Sequence, residues 1–236
     1  MNKTSFMDKK SYSELEQYMK DCMGDSAHDK EHIYRVLYAA LEIAGEEEGV
    51  DYDVLICACL LHDIGRQEQF ENPKVCHAEA GAKKAYRYLC SHGYSEEFAA
   101  RVADCIREHR FRSGVKPESL ESRILFDADK ADVTGALGIA RTLLYEGNVS
   151  TPIFTRTATG EISDGIGDKE PSFFREYKKK LEGIYDKFYT KRGKEIAAAR
   201  REAAKAFYDS LLHEVNDMEQ NGRRLLEQCI VGEETE

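Results

Sequence analysis

An unbroken apolar run, Val54–Leu61, stops abruptly at the charged pair His62-Asp63. Eight residues fall well short of the ~20 needed to span a bilayer. The run continues through 53–64 without turn signals and is apolar on every side, which predicts a central buried helix. A charged pair ending such a helix is costly to bury unless it finds partners. The chain therefore needs other helices around this one, and groups near its end that pair with His62 and Asp63.

Such helices are predicted on both sides. His32, Val36, Ala40 and Ile43 recur at helical spacing, with Ile33, Leu37, Leu41 and Ala44 beside them. Ser26 with Asp29 resembles a capping box. Ala82, Ala85, Tyr86 and Leu89 mark a helix that stops at Gly93, and Ser95 is placed to cap the next, whose face is Phe98, Val102, Cys105 and Ile106. A helix opening at Pro117 or Glu118 runs towards Leu144 with a break near Gly135. Helical spacing restarts at Tyr177, Leu181, Ile184, Tyr185 and Phe188, and a last helix is expected over about 194–220. No alternating pattern predicts a strand, so the expected class is all-α.

Residues 147–172 differ. Gly, Thr, Ser and Asp dominate, with Ile153 and Phe154 as the clear apolar anchors. A stretch this long without a pattern is expected to be functional or disordered. It reads as a mobile flap, with Arg156 and Lys169 in reach of phosphate. The expected organisation is an N-terminal helix over 1–22, the main domain over 23–220 including this flap, and a tail over 221–236.

Charge narrows the partners. The 236 residues carry 34 basic and 44 acidic side chains, net −10, yet residues 175–205 are +6 and the remainder −16. An acidic body argues against binding a nucleic-acid duplex. The basic segment reads as a solvated helix face or an attraction for a phosphorylated ligand. No apolar leader begins the chain, and seven cysteines without a CxxC pair read as reduced thiols, mostly buried. Together these predict a cytoplasmic protein away from membranes, with a homodimer left open.

Six histidines lie between positions 28 and 109, and five of them, all but His92, bear on the site. His28 and His32 share a helix face, and His32 continues the buried stripe. His109 continues the face of Val102 and Ile106, and His77 opens the helix carrying Gly81. Asp129 follows Leu125 by one turn and points inward, with Asp132 a turn further on. A divalent cation satisfies several inward imidazoles and carboxylates at once, and that donor set suits Mn, Fe, Co or Zn, with Mg also allowed.

These motifs, His32-Ile-Tyr-Arg-Val36, Leu60-Leu-His62-Asp63-Ile-Gly65 and Phe126-Asp-Ala-Asp129-Lys-Ala-Asp132, resemble those of the HD-domain metal-dependent phosphohydrolase superfamily. The resemblance runs from about His28 to Leu212, including Ile139-Ala-Arg141. It implies an all-helical bundle around one divalent metal ion held by His32, His62, Asp63 and Asp129. His28 then lies one turn off as a neighbour. His77 and His109 occupy places where some dinuclear relatives hold a second metal. This chain lacks their GYP signature, so both are assigned to binding phosphate or to supporting the ligands, and a second metal stays open; His28, Arg66 and Lys130 are assigned with them to substrate, Arg66 and Lys130 because they follow the His-Asp pair and Asp129. Asp63, Arg66 and Lys130 are the implied catalytic groups. Ile64-Gly65-Arg66-Gln67 stands where guanosine-polyphosphate enzymes carry an acidic pair, which argues against that substrate. The implied activity is hydrolysis of a nucleotide or related phosphate by an activated water. The alternative is a nucleotide sensor without turnover.

Overall fold

The structure, a computed structural model, describes residues 7–23, 30–110 and 116–230. His28 and the Ser26–Asp29 cap lie outside the described residues. The regular elements among the described residues are helices, apart from one isolated antiparallel bridge, Arg156 to Ile162. No helix among them is long and apolar enough to cross a membrane. Two compact units divide the chain, one of residues 1–132 and 188–196, the other of 133–187 and 197–236.

The first unit is built around α3 (Tyr52–Leu61), which packs against α1 (Lys9–Met23), α2 (Lys30–Ala44), α5 (His77–Ser91), α6 (Glu96–Glu108) and α7 (Leu120–Ala131). Val54, Leu55 and Cys57 through Leu61 are fully buried, as a helix without a polar face demands. Asp51 caps α3 by accepting from Val54 N, and Ser95 caps α6 by accepting from Phe98 N. The cap of α7 is Ser119, two residues beyond Pro117, because its hydroxyl reaches the amide of Ser122. A short helix, α4 (Arg66–Glu71), has no buried residue and no counterpart in the hydropathy pattern.

Two glycines set the turn after the apolar helix. A Cβ on Gly65 would sit 2.2 Å from the His77 carbonyl and 2.5 Å from Gly81 N. Only a bare backbone lets the His62-Asp63 turn lie against the start of α5.

The second unit contains α8 (Gly135–Asn148), α9 (Phe173–Glu176) and most of α10 (Lys191–Cys229). The break between α7 and α8 falls where Gly135 adopts φ 65°. The helix expected from Tyr177 to Phe188 is shorter: a π-helical turn spans Tyr177–Leu181, and Ile184 and Tyr185 are buried from turns. Stacked rings of Tyr177 and Tyr208, 4.1 Å apart, help fix that turn. Helix α10 continues to Cys229, past Gln220 where the spacing ends it.

Residues 149–172 have a structure of their own. Thr157 N donates to Glu161 O and Ser163 N to Thr155 O, while Asp168 accepts from the hydroxyls of Thr155 and Ser163, each at 2.7 Å. Ile153 is 44% exposed, so it is no anchor, and Arg156 is engaged with Glu219 at 2.9 Å. Polar side-chain bonds leave no hydropathy period, which is why the segment reads as patternless. The cysteines also differ from expectation: all seven are free, but only Cys57, Cys59 and Cys105 are buried.

Candidate metal centre

Five elements of the first unit deliver ionisable side chains to one place. His32 comes from α2, His62 and Asp63 from the end of α3, His77 from the first residue of α5, His109 from the end of α6, and Asp129 and Asp132 from α7. The four histidines, Asp63 and Asp132 are at most 6% exposed.

Hydrogen bonds dictate which ring nitrogen faces inward. His62 Nδ1 lies 2.8 Å from the Cys59 carbonyl and His109 Nδ1 lies 2.6 Å from the Ile106 carbonyl. A carbonyl only accepts, so both Nδ1 atoms carry the proton. His77 Nδ1 faces Gln69 Oε1 at 2.9 Å, and His32 Nδ1 faces Asp132 Oδ2 at 2.7 Å. Each Nε2 is thereby turned towards the cluster, and in the neutral ring it is a lone pair. Nε2 of His32 and His62 lie 3.3 Å apart, and those of His77 and His109 lie 3.4 Å apart.

Asp63 lies between the two pairs. Its Oδ2 is 3.7 Å from His32 Nε2 and 3.8 Å from His62 Nε2, while its Oδ1 is 3.4 Å from His77 Nε2 and 3.8 Å from His109 Nε2. Asp129 Oδ1 joins the first pair, 3.3 Å from His32 Nε2. Among the described residues two groups have donor atoms close enough to share an ion: His32 with His62 and Asp129, and Asp63 with His77 and His109. Asp63 Oδ1 is buried without a hydrogen-bond partner, although Arg66 Nε stands 2.9 Å away as an ion pair.

The electrostatics agree with this division. Burial holds His62, His77 and His109 below the ordinary 6.5, His109 at about 4 and His77 at about 2. Burial acts the same way on His32, but its bonds to Asp129 and Asp132 outweigh it and hold it at about 9. Burial would raise Asp63 and Asp129. Neighbouring cations and rings, led by Arg66 for Asp63 and Lys130 for Asp129, keep both ionised instead. Two ionised carboxylates beside the neutral imidazoles of His62, His77 and His109 form a donor set for divalent cations, and a cation at the first group would take the place of the proton that His32 directs at Asp129.

His32, His62, Asp63 and Asp129 are thus brought together. His77 and His109 share Asp63 with them rather than standing apart. Lys130 is turned to Asp129 Oδ2 at 2.7 Å, with its ammonium 4.8 Å over the Phe126 ring. Gln69 and the Gly65–Gly81 approach escape a reading of the sequence, since neither produces a periodic signal. Asp127, two residues before Asp129, points elsewhere: fully buried, it accepts from Tyr189 N, Thr190 N and the Thr190 hydroxyl at the start of α10.

An HD-domain family model matches residues 30–134, a stretch that includes all seven clustered side chains. The uncharacterized protein YpgQ of Bacillus subtilis (strain 168) is 30% identical over 179 residues, covering 74% of this chain and 78% of that protein. An HD-superfamily hydrolase from Bacillus thuringiensis superposes with a TM-score of 0.67 at 26% identity, covering 88% of this chain and 98% of the other. Bacillus subtilis YpgQ in complex with ADP has the same fold, with a TM-score of 0.67 at 24% identity over 86% of this chain and 97% of that one. HD domains bind divalent metals, and the histidines and aspartates gathered here lie in the matched stretch; the chain belongs to the HD-domain phosphohydrolase superfamily, a family of metal-dependent hydrolases.

Proposed function

We propose that this protein hydrolyses a phosphate ester or anhydride of a nucleotide, using divalent cations that two adjoining donor groups, both including Asp63, would hold. The observation that carries this reading is the placing of Asp63 between two imidazole pairs whose Nε2 atoms face each other at 3.3 and 3.4 Å. His32, His62, Asp129 and Asp63 Oδ2 would hold one ion, and His77, His109 and Asp63 Oδ1 the other. When bound, a divalent ion supplies a more acidic water and polarisation of a phosphoryl oxygen.

The chain's own residues supply the rest. Asp63 touches both positions, so it is placed to orient a water and take its proton. Lys130 holds Asp129 in place. Arg66, its side chain 32% exposed, lies beside Asp63 with a guanidinium suited to phosphate oxygens. His77 and His109 would hold an ion together with Asp63, which places them beside the substrate site rather than against the substrate itself. The ADP complex of YpgQ supports a nucleotide as the ligand class. Products would be a nucleoside with phosphate, a phosphate monoester, or a nucleotide with pyrophosphate.

Two measurements test this. Metal analysis of the purified protein should find divalent ions, and titration of stripped protein should find two equivalents. A phosphate- and pyrophosphate-release screen with Mn²⁺ over nucleoside mono-, di- and triphosphates should find turnover. Nucleotide binding without turnover would favour a sensor, and no metal uptake would reduce the cluster to a structural network.

A further inference from the structure

The four clustered histidines are not held alike. His62 and His109 each end a helix, where the last carbonyls lack intrahelical partners. Each ring bonds the carbonyl three residues before it, a fixed acceptor. His32 is held by a carboxylate, Asp132. His77 instead begins a helix, where the orphan groups are amide donors rather than carbonyls. Its own helix therefore offers no acceptor for Nδ1–H. The acceptor comes from Gln69, on the short helix α4, which buries none of its residues.

An amide differs from a carbonyl in having two faces. With Oε1 turned to Nδ1, as here, the ring proton sits on Nδ1 and Nε2 is open to a cation. With the NH₂ turned to Nδ1, that nitrogen must accept, the proton moves to Nε2, and Nε2 donates to Asp63 Oδ1, only 3.4 Å away. The second arrangement closes the position. We propose that Gln69 is a positioning residue that sets the His77 tautomer, and through it governs the cation position shared by His77, His109 and Asp63 Oδ1. This inference rests on the two-position reading above. The first position, with its carboxylate and carbonyl supports, is the internal control.

The experiment is titration of chelator-stripped full-length protein with Co²⁺, followed by calorimetry and by the visible absorption of bound Co²⁺, for wild type, Gln69→Leu and Gln69→Glu. Wild type should show two binding steps. Gln69→Leu, with no acceptor, should weaken one of the two steps by roughly tenfold or more and leave the other unchanged. Gln69→Glu, which can only accept, should restore that step to wild-type strength or better. Two wild-type-like steps in Gln69→Leu would overturn the inference while leaving the two-position reading intact. Equal weakening of both steps, or no rescue by Glu, would also overturn it, as general damage rather than positioning. A single step in wild type would overturn the reading and the inference together.

Discussion

Asp132 Oδ2 lies 2.7 Å from His32 Nδ1, while its other oxygen takes the Arg35 Nε at 2.7 Å. Arg35 is one turn after His32 on α2, so a single carboxylate from α7 fastens two residues of α2. The ring is fixed with Nε2 towards Asp63 and Asp129, and the negative charge behind it makes that nitrogen a stronger donor.

Replacing that carboxylate should therefore weaken the first cation position. Asp132→Asn is expected to lower its affinity by roughly 10–100-fold and leave the other position near wild type, as read by Co²⁺ titration. Unequal loss is the informative outcome, since unfolding would abolish both.

Asp63→Asn should be more damaging, because one residue serves both positions. Turnover should fall by roughly 10²–10⁴-fold, with helical content by circular dichroism largely retained. Full activity in this variant would remove Asp63 from the chemistry.

The stripped protein should be most stable near pH 6.5. His62, His77 and His109 are held below the ordinary 6.5, so as pH falls the unfolded chain takes up protons that the fold refuses. Stability is then lost from 6.5 towards about 4 and below. His32 has the opposite sign. Raised to about 9, its contribution is complete below 6.5 and is lost as pH climbs towards that value. Melting temperatures measured in chelator should fall on both sides; a steady rise to alkaline pH would contradict the assignment.

Gly65→Ala should strain the contact between the His62-Asp63 turn and α5. The added carbon meets backbone at 2.2 and 2.5 Å, which side-chain motion cannot relieve. A loss of about 1–3 kcal/mol is expected by thermal or denaturant unfolding, along with weaker binding at the position that needs His77 beside Asp63.

Asp127→Ala should separate stability from cation binding. The carboxylate accepts three bonds at the start of α10, and its loss leaves buried donors unpaired. A cost of about 2–4 kcal/mol is expected, with Co²⁺ stoichiometry unchanged.

The apolar helix, the His32 stripe and the inward turn of Asp129 were legible because each is a periodic pattern within one segment. The HD resemblance then nominated four residues that the fold does gather. The pairing of His77 and His109 on the far oxygen of Asp63 was not legible, because it depends on two backbones touching at Gly65 and Gly81. Helix α4 escaped because six residues are too few to show a period. Residues 149–172 escaped because Asp168, Thr155 and Ser163 organise them through hydroxyl–carboxylate bonds, which hydropathy does not record.

Helices α3 and α6 end on the same device, a histidine bonded to the carbonyl three residues back. The bond that finishes the helix is also the bond that aims the ring. A cation held at Nε2 of His62 or His109 would polarise the ring and tighten its grip on the Cys59 or Ile106 carbonyl, so loading the cluster should slow amide exchange in the last turns of both helices. The occupancy of the cluster would in this way be expressed in the backbone itself, where protection against exchange would report it without any substrate present.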